Sequence, residues 1–109
     1  MSSVATPAVT RDRIPHPPKE AIDLATVMRT VGDPLRLDIV RLLADGRERQ
    51  CSELADALDL PASTASYHLR LLREAGVTRT RAAGVHRLIG LRTDDLEDLF
   101  PGLLGVVTR

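Results

Sequence analysis

SELADALDLPASTASYHLRLLREAG, residues 52–76, reads as two helices joined by a tight turn. Ser52 is the expected N-cap of the first, short helix, with Leu54, Ala55 and Leu58 facing inward. The turn is Asp59-Leu60-Pro61, where proline stops one helix and suits the entry to the next. The second helix is expected over 62–75, closing at Gly76, the residue type that ends helices in the left-handed conformation. At about 100° per residue, Ala62, Ala65, Leu69 and Leu72 share one side. Ser63, Ser66, Tyr67 and Arg70 share the other, with Thr64 at its edge. Small hydroxyls can approach base edges, and arginine pairs with phosphate or guanine, so this face suits a DNA major groove. An ordinary amphipathic helix with a solvated face has the same pattern.

The segments on either side favour the first reading. After Gly76 the period changes: residues 77–81 and 85–91 read as two short strands, with Ala82-Ala83-Gly84 as the hairpin tip. A basic hairpin directly after a candidate recognition helix is a wing. Arg79, Arg81, His86 and Arg87 are placed to reach backbone phosphate or the minor groove. No acid occurs between Ala75 and Thr93, which an ordinary surface hairpin does not require.

Charge is distributed accordingly. The 109-residue chain has no formal net charge, which taken alone argues against a nucleic-acid binder. Yet residues 61–92 carry six arginines against Glu74 alone, while 33–60 and 93–109 are each net acidic by three. A basic block between acidic ones is an oriented field that steers a polyanion onto one face.

Upstream, residues 19–31 have helical periodicity, with Leu24, Val27, Met28 and Val31 on one side, and Gly32 ends the run. Asp33 caps a further helix with Pro34 at its first position; it runs to about Asp45 and buries Leu35, Ile39, Leu42 and Leu43. Residues 1–18 hold four prolines and no apolar period, and are expected to form a mobile arm in which Arg11 and Arg13 are solvated or touch DNA. Downstream, Thr93 is the expected cap of a last helix with Asp94, Asp95 and Glu97 at its positive end. Leu96, Leu99, Phe100, Leu103, Leu104 and Val107 keep helical spacing, and Pro101-Gly102 kinks the helix or splits it in two.

The order of helices, helix-turn-helix, wing and helix resembles the ArsR-type (ArsR/SmtB) family of bacterial winged-helix repressors. Val31-Gly32-Asp33-Pro34-Leu35-Arg36-Leu37 is similar to that family's "ADPTRL" segment. Residues 66–77, SYHLRLLREAGV, are similar to "SxHLxxLRxAGLV", and 81–91 to its "REGRxxYYRL" wing. The resemblance covers about residues 20–107. It implies a dimer built from the first and last helices, a recognition helix in the major groove, and repression relieved by an effector.

The departures bear on that effector. Founding members sense metalloids through a Cys-x-Cys pair at the start of the third helix, where this chain reads Gln50-Cys51-Ser52. Other members bind zinc between the last helices with Asp, His and Glu; residues 93–109 contain no histidine. His68 matches a common family position beside the apolar face of the recognition helix. No metal site and no cofactor are expected. Cys51 is an inert helix-start residue, or a redox switch if Arg47, Arg49 and the helix terminus depress its pKa.

The sequence therefore leads to a mainly α winged helix-turn-helix with a small β-hairpin. Its domains are an arm over 1–18 and a DNA-binding and dimerisation domain over 19–109. The expected function is a dimeric, sequence-specific repressor with double-stranded DNA and a second copy as partners, and an effector the sequence does not identify. Ser63, Thr64, Ser66, Tyr67, Arg70, Arg79, Arg81, His86 and Arg87 are the candidate DNA contacts. Leu24, Val27, Met28, Leu99, Phe100, Leu103, Leu104 and Val107 are the candidate dimer contacts. The rival is a winged helix that binds protein instead of DNA, which has no need of the basic block. An enzyme lacks support: no nucleophile has a base at motif spacing, and no glycine-rich phosphate loop is present. The lone cysteine fits a reducing cytoplasm, and no apolar run reaches membrane-span length.

Overall fold

The computed structural model describes residues 14–109. The first helical run is divided. Lys19–Ala21 is a single 3-10 turn, and α1 begins only at Leu24 and runs to Val31. The break lies at Asp23, whose carboxylate accepts from the Thr26 backbone N–H at 3.0 Å and from the Thr26 hydroxyl at 2.9 Å. A side chain that caps the following turn starts a new helix there instead of continuing the old one.

Helix α2 spans Pro34–Leu42 and tightens into a 3-10 turn over Leu43–Asp45. Asp33 caps it, accepting from the Leu35 and Arg36 N–H groups at 3.0 and 3.1 Å. Ile39, Val40 and Leu43 are buried, whereas Leu35 and Leu42 are only half-buried. Helix α3 spans Cys51–Ala57 with Gln50 as its N-cap, so Ser52 is inside the helix rather than before it. Glu53 reaches back to the Gln50 N–H at 2.8 Å and satisfies the helix start that Ser52 was expected to cap.

Helix α4 spans Ala62–Ala75 and turns at Gly76, φ +88°. Glycine is required there twice over. The backbone is left-handed, and a Cβ would stand 2.6 Å from Ile22 Cγ1. Helix α4 packs against α1, α2 and α3, so it is anchored by the whole helical core.

The wing is an antiparallel pair, β1 Thr78–Ala83 and β2 His86–Leu91, with Ala83 opposite His86. The turn is therefore Gly84-Val85, one residue later than expected, with Gly84 at φ +64° and Val85 fully out in solvent. On its other edge β2 meets Arg49 through paired backbone bonds of 2.8 and 2.9 Å with Ile89, which fix the wing to the linker before α3.

The C-terminal helix is two helices, α5 Thr93–Leu99 and α6 Leu103–Val107, separated by Phe100–Gly102. Thr93 is the first residue of α5 and makes no side-chain cap. Arg92 precedes it with its guanidinium buried, donating to Asp95 at 2.8 and 3.0 Å and to the Pro17 carbonyl at 2.8 Å. The expected arm is thus tied down at its end, since the Thr80 N–H also donates to His16 Nε2 at 3.0 Å. Arg11 and Arg13 lie outside the described residues.

The core is aliphatic and joins every layer: Val27 and Val31, Ile39, Val40 and Leu43, Leu54, Leu69 and Leu72, Val77, Ile89, Leu96 and Leu104.

Candidate nucleic-acid interface

Helix α4 turns its polar face outward as the wheel requires. Ser63, Ser66, Tyr67 and Arg70 are exposed, and Thr64 is half-buried. The buried arc is rotated toward His68 and Ala75, which leaves Ala62 at the edge and in solvent, contrary to the expectation that it faces inward. Arg70 lies 5.6 Å from the Tyr67 ring centroid and 3.4 Å from Glu74. Tyr67 in turn meets the His68 ring edge-on at 5.3 Å.

His68 is a buried positioning group. Arg36 Nη1 donates to its Nδ1 at 3.2 Å, and Arg36 Nε donates to the Thr30 carbonyl at 2.6 Å. One guanidinium therefore ties the end of α1 and the start of α2 to the ring that Tyr67 packs on. This connection orients the exposed face of α4.

The wing carries its cations outward, but two of them have carboxylate partners drawn from distant parts of the chain. Arg81 forms a forked pair with Glu48 at 2.8 and 2.9 Å. Arg79 pairs with Asp95 at 3.1 Å. Both arginine side chains remain about half exposed. Surface pairs of this kind contribute little to stability and can exchange one anion for another. The hairpin is free of acids in sequence but not in space. Arg87 and His86 are exposed, and among the described residues neither has a carboxylate partner. Arg92, counted in the basic block, is an internal charge.

The candidate dimer contacts divide in two. Val27 and Leu104 are buried in the chain's own core and are not available to a partner. Leu24, Met28 and Val106 are exposed, by 43%, 55% and 57%, and Leu99, Phe100 and Leu103 line the same groove between α1 and the α5–α6 corner. The helical spacing of the apolar residues runs through Val107 and so does not mark Val106.

The comparisons with known proteins match this geometry. A helix-turn-helix domain family matches residues 31–81. A Bacillus subtilis HTH-type transcriptional regulator, YceK, is 37% identical over 81 residues, covering 73% of this chain and 81% of that protein. The chain belongs to the ArsR/SmtB-type winged helix-turn-helix transcriptional regulators. The SmtB transcriptional repressor of Mycobacterium tuberculosis is 38% identical over 69 residues, covering 62% of this chain and 50% of the repressor. Among solved structures, the homodimeric winged helix-turn-helix DNA-binding domain of Mb0332 from Mycobacterium bovis, described as a possible ArsR-family regulator, superposes with a TM-score of 0.66. It is 25% identical and covers 98% of this chain and 86% of that one.

Within this ArsR/SmtB-type frame, Cys51 is the first residue of α3 and half-buried. Burial pushes its thiol up from the ordinary value rather than down. Arg49, expected to depress it, is turned away, donating to Asp45 at 2.7 and 3.0 Å and to the Leu42 carbonyl at 2.7 Å. The surroundings of Cys51 therefore do not favour the thiolate that a redox switch needs. Among the described residues no three His, Cys, Asp or Glu side chains converge as metal ligands, and no helix is long and apolar enough to cross a membrane.

Proposed function

We propose that this ArsR/SmtB-type regulator is a homodimeric repressor that inserts α4 into the major groove and lays its wing on the flanking backbone. The observation that carries it is the exposed face of Ser63, Ser66, Tyr67 and Arg70 beside an outward-facing basic hairpin. Ser63 and Tyr67 read base edges, while Arg70, Arg79, Arg81, His86 and Arg87 contact phosphates. The second copy docks on Leu24, Met28, Leu99, Phe100, Leu103 and Val106. That apolar groove is more than a solvated surface of a small domain requires. The proposal includes neither a catalytic role nor a metal cofactor. An effector that lowers the affinity for DNA completes the regulator.

The test separates the two kinds of contact. Ser63→Ala and Tyr67→Ala are expected to change which sequences a random-duplex selection enriches. Arg87→Ala is expected to lower affinity for all sequences alike. Unchanged selection profiles in both helix variants would remove α4 from the recognition role.

A further inference from the structure

Among the arginines of α4 and the wing, Arg73 and Arg87 stand apart. Arg70, Arg79 and Arg81 already hold carboxylates. Arg73 is half-buried, and its Nε–H is fully shielded from solvent with no hydrogen-bond partner among the described residues. A buried guanidinium donor without an acceptor costs free energy, and native structures rarely keep one without a use. Arg73 and Arg87 line one cleft between α4 and the wing, together with Ser66, Thr80, Cys51, Leu69 and Ile89. No acid lines it. The cleft measures about 140 Å³, room enough for one tetrahedral oxoanion.

We propose that this cleft is a phosphate-binding site in which the guanidinium groups of Arg73 and Arg87 and the Ser66 and Thr80 hydroxyls hold one phosphate group. Two guanidinium groups supply the charge and forked donors that phosphate recognition uses, and the hydroxyls supply further donors. The site's position between recognition helix and wing makes a DNA backbone phosphate its first source. In that form it rests on the DNA-binding reading above. Free inorganic phosphate offers the same chemistry and is the second source. Occupancy by a backbone phosphate locks the wing to α4 and fixes the helix in its groove, which makes Arg73 a contact rather than a scaffold residue.

The test follows the Arg73 Nε–H resonance in a ¹⁵N-labelled full chain. One arm titrates inorganic phosphate against chloride at equal ionic strength, and the other titrates a mixed-sequence duplex. Duplex affinity is measured in parallel over a range of salt for wild type, Arg73→Lys and Arg73→Gln, with thermal melts to verify folding. The expected result is a phosphate-specific and duplex-induced shift of the Arg73 signal. Arg73→Gln is expected to flatten the salt slope by about one ion, with Arg73→Lys intermediate. A shift with inorganic phosphate but not with duplex, and an unchanged slope, would support the site and assign it to free phosphate. If wild type binds no duplex, the DNA-binding reading fails, and the phosphate arm alone decides the cleft. An Arg73 signal that moves with neither ligand, or no more with phosphate than with chloride, overturns the proposal.

Discussion

Arg81 on the wing and Glu48 in the linker before α3 form a forked ion pair, Nε to Oε2 at 2.9 Å and Nη2 to Oε1 at 2.8 Å. The carboxylate occupies the guanidinium that a DNA phosphate would take. The Arg81 partner holds the Glu48 carboxyl below its ordinary range, so the pair is fully charged at neutral pH. Glu48→Gln is therefore expected to raise duplex affinity and steepen its salt dependence by up to about one ion. Arg87→Ala, which breaks no pair, is expected to flatten the slope more than Arg81→Ala. Fluorescence anisotropy across a salt series measures all three. If the double variant Arg81→Ala, Arg87→Ala keeps both affinity and slope, the wing makes no phosphate contact.

That pairing was not legible in the sequence, whereas much of the fold was. Asp33-Pro34 and Gly76 mark helix ends by local chemistry, and the structure keeps both. The break at Ile22-Asp23 was hidden because apolar periodicity runs across it, and only the Asp23 cap reveals it. Glu48 and Arg81 are 33 residues apart, so their contact depends on β2 pairing with Arg49. The sequence does not mark Arg73 as a contact for a similar reason. It lies between the polar and apolar sides of α4, and only the wing folding over it closes the cleft.

The proposed dimer face allows a clean separation of assembly from folding. Met28 and Val106 are exposed at 55% and 57%, so Met28→Glu and Val106→Glu are expected to give folded monomers with melting temperatures near the monomer's own. Leu104 is 8% exposed and packs in the core, so charge there is expected to destabilise the fold by several kcal/mol instead. Sedimentation velocity at micromolar concentration reads the difference. Wild type that sediments as a monomer would refute the dimer.

Acid is expected to weaken the fold in part through Asp33. The Arg36 N–H bond, first among its causes, holds this carboxyl below the ordinary value. A carboxyl with a depressed folded pKa contributes stability above its unfolded value, about 4, and loses it as pH falls through the folded value. Asp33→Asn keeps a capping oxygen and cannot titrate, so its melting temperature is expected to fall less steeply below about pH 4. Asp33→Ala is expected to cost about 1 kcal/mol at neutral pH. An identical acid profile in Asp33→Asn would show that titration of Asp33 does not contribute to the loss of stability in acid.

Effector chemistry is tested on the protein–DNA complex. Zinc, cadmium and arsenite at micromolar concentration are expected to leave the complex intact. One thiol per chain gives a soft metalloid a single sulfur, and carboxylates without imidazole hold zinc poorly. Peroxide is expected to act no differently on wild type and Cys51→Ser, because the thiol is pushed up by burial. Release by any of the metals, or by peroxide in wild type only, would contradict this.

The proposed function requires a pair of α4 helices to read sequence. It is tested most directly by selecting the wild-type protein against random-sequence duplexes at near-physiological salt. The expected outcome is one enriched inverted repeat with half-site centres about one helical turn apart, ~34 Å, as two-fold related recognition helices require. Duplexes recovered without any enriched sequence would contradict it.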